Sequence, residues 1–232
     1  MRVCVLSMKR AEWWICSMLD PEQLYYDGKL WGAKDHKFWC LLSTLLLKCK
    51  PKSILELGAG RSTTFFAEYA YETNVPFVSI EESPVWYAEI YRDLRLMFLP
   101  GTYIRHVPVD PATDWYDSEP ADNAMDITPY DLVMIDGPTG RGKRDYRGNM
   151  LVERAIRKAR MIIVDDTQRA DCHAFSKHLA KAKGFTEIHI PYMQRRRGTT
   201  TGSVVYDENT VTILTSEWSD IVSLTARDIY GN

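Results

Sequence analysis

Residues 53–67 constrain the fold more than any other part of the chain, because they predict a strand, a glycine turn and a helix in succession. The apolar run that opens the stretch is typical of a parallel strand buried on both faces. Gly58 and Gly60 follow, and glycine permits both a sharp turn and the close approach of a ligand. Ser62 and Thr63 are favourable N-cap residues for the helix. Since a helix N-terminus presents N–H groups and a positive dipole end, the stretch predicts a cofactor or nucleotide site.

The details of this stretch distinguish between cofactors. The dinucleotide-binding fingerprint requires a third small residue, and that position is Thr63. A P-loop requires a lysine at the helix start, where this sequence has none. Instead an acid, Glu56, precedes Gly58 by two residues. The alternative is a tight strand–helix turn that binds no ligand.

The sequence Glu-Leu-Gly-Ala-Gly at 56–60 resembles the first motif of class I S-adenosylmethionine-dependent methyltransferases. In that family the backbone of this loop lies against the methionine part of the cofactor. The resemblance therefore implies S-adenosyl-L-methionine as the cofactor, with contacts from Glu56, Gly58, Gly60, Ser62 and Thr63.

Composition predicts an ordinary globular protein. The chain has 232 residues, 26% of them charged and 45% hydrophobic, which suits a single domain with a substantial core. A net charge of −2 argues against polyanion binding by the whole surface. The five cysteines are odd in number and lack metal-ligand spacing, so we expect reduced thiols in a cytoplasmic protein. The most apolar window, 41–47, is far shorter than a membrane span, so we expect no membrane partner.

The chain divides into an N-terminal segment and a larger domain. Residues 1–50 are rich in aromatic side chains, and we expect a helical segment packed on the core, with a substrate lid as the alternative. Apolar residues at helical spacing predict a helix over 35–48, which Pro51 ends. Residues 51–232 then form the domain that carries the resemblance.

Strands alternate with helices through most of this domain. This alternation predicts a doubly wound, mostly parallel α/β sheet of seven strands with a Rossmann-like methyltransferase fold. The last two strands have no helix between them, which places one antiparallel strand near the C-terminus, as the resemblance over residues 50–215 also implies. The predicted strands are 53–57, 75–80, 103–107, 130–135, 161–164, 186–190 and 211–214, and the predicted helices are 62–71, 84–97, 150–159 and 168–183. Residues 111–129 are expected to be an irregular connection, with one short helix within it as the alternative.

Acidic residues stand where the predicted strands end, and ligands of such sheets bind outside the carboxyl ends of the strands. Glu81 lies 25 positions after Glu56, where an acid can accept hydrogen bonds from both hydroxyls of a ribose. The resemblance implies the same role. Asp110 matches the loop that meets the adenine amino group in the family. The alternative for each acid is a helix cap.

A second group of acids suggests a divalent cation. Asp136 ends the fourth strand, and Asp165 and Asp166 end the fifth, so their oxygens could share Mg²⁺ or Mn²⁺. These stretches resemble cation-dependent O-methyltransferases that act on catechol-like phenols and on sugars. The last ligand in catechol-type enzymes is usually Asn, where this chain has Asp166. The alternative is that Asp136 contacts cofactor or substrate while the other two cap a helix.

Without a metal, a general base must take the proton of the acceptor. Candidates on the predicted face are Asp136, Asp166, His173 and Lys143. The alternative for His173 is a solvated or capping residue.

Two predicted loops are basic. One carries Arg144 near Lys143, and the other carries Arg195 and Arg197. Arginine suits bidentate recognition of carboxylate or phosphate, so we expect these residues to hold an anionic acceptor such as an acidic sugar. The alternative is a pair of solvated loops that offset the acids.

The sequence thus predicts an S-adenosylmethionine-dependent O-methyltransferase acting on a small acceptor, a sugar or a phenol, with a divalent cation as a further expectation. An RNA-binding protein or RNA methyltransferase using the arginine loops is the alternative, although the chain lacks an overall basic charge. An NAD-dependent oxidoreductase is disfavoured by Thr63. A silent interaction protein that keeps the fold is the remaining alternative.

Overall fold

The structure of the protein, a computed structural model, describes residues 33–34, 36–117, 120–121, 124, 130–139, 150–157, 159–197 and 204–215. The predicted aromatic segment or lid before residue 33 lies outside this range. The chain divides into two compact units, one of Met1–Lys50, Pro191–Asn209 and Trp218–Asn232, the other of Pro51–Ile190 and Thr210–Glu217. None of the helices in the described ranges has the length and apolar content needed to cross a bilayer.

Strands and helices alternate along the described part of the chain. The strands are β1 (Ala33–Lys34), β2 (Ile54–Leu57), β3 (Phe77–Glu81), β4 (Ile104–His106), β5 (Val109–Asp110), β6 (Trp115–Tyr116), β7 (Leu132–Ile135), β8 (Met161–Val164), β9 (Thr186–Arg197) and β10 (Val204–Thr215). The helices are α1 (His36–Cys49), α2 (Arg61–Thr73), α3 (Pro84–Leu96), α4 (Met150–Arg157) and α5 (Ala170–Lys183), with a 3₁₀ turn at Gly101–Tyr103.

The larger unit is built on a mostly parallel sheet. Its strand order is β9-β10-β8-β7-β2-β3-β4, and β8, β7, β2, β3 and β4 pair in parallel. Strand β10 runs antiparallel to β8, with Thr212 opposite Val164. The structure therefore confirms the predicted seven-stranded doubly wound sheet with one antiparallel strand near the C-terminus.

Helices cover the central strands, so the strands are buried throughout. Every residue of β2, β3, β7 and β8 is buried, as expected for a parallel sheet with connections over both faces. The parallel register places the carboxyl ends of these four strands at one edge. Glu56 lies opposite Ser79 and Met134, so the acid predicted from the glycine motif sits in the middle of the sheet.

Two predictions about irregular regions were wrong. Residues 195–197 were expected in a loop, but β9 continues to Arg197. The polar residues of this extension carry no hydropathy signal for a strand, while β9 lies between β1 and β10 in the sheet and pairs with β1 at Gln194 and Arg195. Residues 111–129 were expected to be irregular or to contain one short helix, but β6 (Trp115–Tyr116) lies within them and pairs antiparallel with β5, with Asp110 opposite Trp115.

The smaller unit contains the first described helix, α1. Its apolar residues lie at helical spacing and are buried, as predicted: Phe38, Leu41, Leu42, Leu45 and Leu46. The ring of Phe38 lies 5.1 Å from the ring of Tyr192 on β9. This contact packs α1 against the outer part of the strand.

The end of α3 contains an unusual residue. Leu99 N–H donates to the carbonyl of Leu94 at 2.9 Å, and Phe98 N–H donates to that of Arg95 at 3.2 Å. These bonds form a Schellman motif, which places Phe98 in the left-handed position that glycine usually occupies. Phe98 has φ 58° and is 92% exposed. It therefore carries backbone strain that its own burial does not offset.

We predict that Phe98→Gly raises the free energy of unfolding by about 1 kcal/mol, because glycine relieves the left-handed strain at a modest cost in unfolded-state entropy. Urea denaturation measures the change. Met97→Gly is the matched control, since Met97 has φ −85° and gains no relief. A loss of stability in Phe98→Gly would contradict the assignment of strain.

Candidate functional site

Gly58, the first glycine of the motif, is required by the backbone. It has φ +91°, and its N–H donates to the carbonyl of Ile80 at 2.8 Å. A Cβ on Gly58 would lie 2.3 Å from the nitrogen and 2.7 Å from the Cα of Gly137, in the loop after β7. Because the obstacle is backbone, this glycine lets two segments of the protein touch.

Gly60 has a different role. Its φ of −168° is extended backbone that any residue adopts. Among the described residues, the one atom that a Cβ there would approach is Ser62 Oγ, at 4.0 Å. The described part of the protein therefore leaves space in front of Gly60. Both glycines were predicted to permit the sharp turn and the close approach of a ligand. In the structure the turn requires Gly58, whereas Gly60 borders space that the described residues leave free.

The start of α2 also differs from the prediction. The N-cap residue is Gly60, so Ser62 and Thr63 lie inside the first turn. Thr63 Oγ1 reaches back and accepts the Gly60 N–H at 2.8 Å. The prediction of Ser62 and Thr63 as N-caps was wrong in position, but the Thr63 hydroxyl does satisfy a backbone donor at this helix start.

Glu56 joins three elements of the site. Its Oε2 accepts a 2.6 Å hydrogen bond from Thr63 on α2 and another of 2.6 Å from Ser79 on β3. The side chain is completely buried. Glu56 therefore fixes the strand before the glycine bend, the helix after it and the neighbouring strand.

Burial controls the charge of Glu56. It raises the pKa of this carboxyl to about 7, although the hydroxyls of Ser62, Ser79 and Thr63 lower it and the nearby Asp136 carboxylate raises it further. Among the described residues, no group hydrogen-bonds to Glu56 Oε1. Because its pKa is about 7, Glu56 is a neutral acid at slightly acidic pH, with its hydrogen on one of the two oxygens.

Glu81 ends β3 beside the glycine bend. Its Oε2 accepts the Ala59 N–H at 2.8 Å and its Oε1 accepts the Ser83 N–H at 2.7 Å. Burial, with the neighbouring Glu82 carboxylate, raises the pKa of Glu81 to about 8 despite these two backbone donors. The predicted ribose acid thus connects the glycine loop to the start of α3.

The loop after β7 carries Asp136 to the same edge. The N–H groups of Asp136 and Gly137 both donate to the carbonyl of Leu57 at 2.8 Å. Asp136 is half-buried, its backbone bonds the residue after Glu56, and its carboxylate contributes to the raised pKa of Glu56. Glu56, Glu81, Asp136 and the two glycines are therefore gathered at one point of the sheet edge.

The described residues do not support the predicted metal site. Asp166 has φ 58°, and its carboxylate lies 3.6 Å from the Arg169 guanidinium. Arg169 also pairs with Asp171 at 3.2 Å. Across the described ranges there is no group of three His, Cys, Asp or Glu side chains suited to an ion. The convergence of Asp136, Asp165 and Asp166 on a cation therefore stays a prediction.

The remaining predicted residues lie elsewhere or outside the described part. Asp110 accepts the Ala112 N–H at 2.9 Å and the Thr113 hydroxyl at 3.3 Å, so its carboxylate stabilises its own turn. His173 lies on α5 with its ring 5.5 Å from that of His189. His189 Nδ1 is 2.7 Å from the Thr212 hydroxyl on β10, a strand that β8 and β7 separate from β2. The contacts of His173 are therefore away from the glycine bend.

The side chains of the predicted basic residues lie outside the part of the chain that the structure describes. Lys143 and Arg144 lie outside the described residues. The backbones of Arg195 and Arg197 belong to β9, and their side chains are outside the description.

Sequence reasoning missed three residues of the site. Ser79 binds Glu56, Gly137 contacts Gly58, and Arg169 pairs with Asp166. A serine inside an otherwise apolar strand was the available signal for Ser79. The Asp-Gly-Pro turn at 136–138 was the signal for a close backbone approach, but the sequence does not say which segment approaches.

Comparisons with known proteins found solved structures of low similarity. No protein-family model matches the sequence, and no curated protein is significantly similar to it. A precorrin-8w decarboxylase from Methanobacterium thermoautotrophicum is 13% identical, with 76% of this chain and 88% of that chain covered and a TM-score of 0.49. A precorrin-6y C5,15-methyltransferase from Geobacter metallireducens is 15% identical, with 75% and 86% covered and a TM-score of 0.49.

A third solved structure is the C-terminal domain of precorrin-6Y C5,15-methyltransferase from Rhodobacter capsulatus. It is 14% identical, with 84% of this chain and 95% of that domain covered and a TM-score of 0.48. Such low identities do not identify a substrate.

We predict that Glu56→Gln weakens the pH dependence of stability. The pKa of Glu56 is about 7 in the folded protein against 4.5 for the ordinary group. A raised carboxyl pKa stabilises the fold fully below pH 4.5, and this contribution is lost as the pH rises through 7, a change of about 3 kcal/mol. Gln keeps an acceptor for Thr63 and Ser79 but cannot ionise.

Urea denaturation between pH 4 and 8 measures this difference. Both proteins retain Glu68 and Glu81, whose pKa values are also raised, so the difference between the two curves isolates Glu56. Parallel curves for the two proteins would show that Glu56 titrates normally.

Proposed function

We propose that this protein is an S-adenosylmethionine-dependent O-methyltransferase that acts on a hydroxyl of a small acceptor, a sugar or a phenol. The observation that carries the proposal is the glycine bend itself: Gly60 caps α2 and a Cβ on it would meet little of the described protein, while the adjacent Ala59 N–H is bound by the buried acid Glu81. An adenosyl cofactor needs this combination: backbone that a Cβ does not obstruct and an acid that accepts ribose hydroxyls.

Thr63 favours this cofactor over a dinucleotide. A small residue at this position serves close helix–strand packing in the dinucleotide fingerprint. Here the Thr63 hydroxyl accepts the Gly60 N–H and donates to Glu56. Glycine or alanine would break both bonds. The local network therefore depends on the residue that departs from the dinucleotide pattern.

In this proposal each part of the site has a role. Glu81 binds the ribose hydroxyls, and the backbone from Gly58 to Gly60, with Ser62 at the helix start, lies along the methionine part. S-adenosylmethionine, when bound, supplies an electrophilic methyl group, which the acceptor oxygen takes as the carbon–sulfur bond breaks and its electron pair stays on sulfur. Asp136 accepts the hydroxyl proton, as a positioned general base.

The acceptor is proposed to be neutral or anionic. Arg144, Arg195 and Arg197 support an anionic acceptor by their charge, since arginine binds carboxylate and phosphate bidentately. The net charge of −2 favours a small acceptor over RNA, because RNA binding is typically carried by an overall basic domain.

We predict that Gly60→Val weakens binding of S-adenosylhomocysteine at least tenfold and costs no more than about 1 kcal/mol of stability, because the side chain fills the ligand space, meets little of the described protein and replaces glycine at the N-cap of α2. Isothermal titration and thermal unfolding measure the two effects. Gly58→Ala is the contrasting variant: positive φ and the clash with Gly137 should cost it about 2–5 kcal/mol of stability.

Titration with NAD⁺ tests the rival cofactor. Binding of NAD⁺ but not S-adenosylhomocysteine by the unchanged protein would overturn the proposal. Equal binding of S-adenosylhomocysteine by Gly60→Val and the unchanged protein would place the cofactor elsewhere.

A further inference from the structure

The loop after β7 is anchored at successive backbone positions. Asp136 N–H and Gly137 N–H both donate to the carbonyl of Leu57, the last residue of β2. Pro138 has no N–H. Thr139 N–H donates to Glu82 Oε1 at 2.8 Å. The backbone donors of Asp136, Gly137 and Thr139 are therefore all satisfied, two by β2 and one by the residue that follows β3.

Glu82 makes hydrogen-bond contacts with three residues, two through its side chain and one through its backbone carbonyl. Besides the Thr139 bond, its Oε2 accepts from the Tyr116 hydroxyl at 3.3 Å. The Glu82 backbone carbonyl lies 3.1 Å from His106 Nε2 at the end of β4. Its side chain is thus directed toward the loop after β7 and toward β6.

The order of the strands shows which parts of the sheet the bond between Glu82 and Thr139 connects. Strand β2 lies between β3 and β7, so the bond from Glu82 to Thr139 links segments on opposite sides of the glycine bend. Gly58 and Gly137 approach so closely beneath this link that neither can carry a Cβ without a clash. The loop is therefore held across the end of β2, at the place where the ribose acid and the glycine bend meet.

We propose that Glu82 is a positioning residue for the nucleoside: its carboxylate holds the loop after β7 in place by accepting the Thr139 N–H, while Glu81 contacts the ribose. This inference rests on the proposed function. A hydrogen bond to an ionised acceptor is stronger than one between neutral groups. The first two anchors hold the part of the loop next to β7, and the Glu82 bond adds a tie from residue 139 to the residue that follows β3.

We predict that Glu82→Ala weakens S-adenosylhomocysteine binding about tenfold to hundredfold, as expected for loss of a hydrogen bond to a charged group. Glu82→Gln should bind within about threefold of the unchanged protein, because its amide oxygen still accepts the Thr139 N–H. Glu72→Ala, which removes an exposed carboxylate at the far end of α2, is the matched control and should have no effect.

A second pair of variants removes the donor instead of the acceptor. Thr139→Pro deletes the N–H and should weaken binding as Glu82→Ala does, while Thr139→Ala keeps the N–H and should bind normally. Thr139 is exposed, so its side chain is dispensable. This pair tests the inference even where Glu82→Ala fails to fold.

Isothermal titration with S-adenosylhomocysteine, beside thermal unfolding of each variant, distinguishes the outcomes. Absence of binding by the unchanged protein overturns the proposed function, and this inference with it. Normal binding by folded Glu82→Ala or Thr139→Pro overturns this inference alone. Equal losses in Glu82→Gln and Glu82→Ala also overturn it, because the amide should rescue a positioning role.

Discussion

The buried hydrogen bonds of Glu56 are the interaction on which the rest of the site depends. A carboxyl group in the middle of a parallel sheet is costly unless its oxygens are bonded or the group is neutral. Here Thr63 and Ser79 both donate to Oε2 of Glu56, and burial raises the pKa of the carboxyl to about 7. The same bonds fix α2 and β3 relative to β2. The position of the glycine bend follows from this network.

The second constraint is the contact between two glycines. Gly58 and Gly137 bring the ends of β2 and β7 together, and the carbonyl of Leu57 receives two N–H groups of the crossing loop. As a result Asp136 lies near Glu56 and not at a distance along the sheet edge. Gly60 is left to border the open space. The two motif glycines look equivalent in the sequence, but Gly58 serves backbone packing and Gly60 is proposed to serve the ligand.

The sequence predicted the fold well because its signal is local and repeated. Buried apolar runs separated by amphipathic helices specify a parallel sheet, and the missing helix before β10 specifies the antiparallel strand. The extension of β9 to Arg197 could not be predicted, since it lies between β1 and β10 and its own residues are polar. The acids at the strand ends were predicted, but their partners were not. Arg169 reaches Asp166 only because α5 begins there, and a sequence contains no such distance.

The proposed function depends on three features at one edge of the sheet: the glycine bend, the space beside Gly60 and the buried acids. The central claim is that an adenosyl sulfonium occupies this edge, and a crystal structure of the protein with S-adenosylhomocysteine tests it most directly. The account predicts density with the ribose hydroxyls on the Glu81 carboxyl and the amino-acid part along the backbone at Gly60. Density for the nucleoside at another place on the protein, with the edge at Gly60 empty, would contradict it.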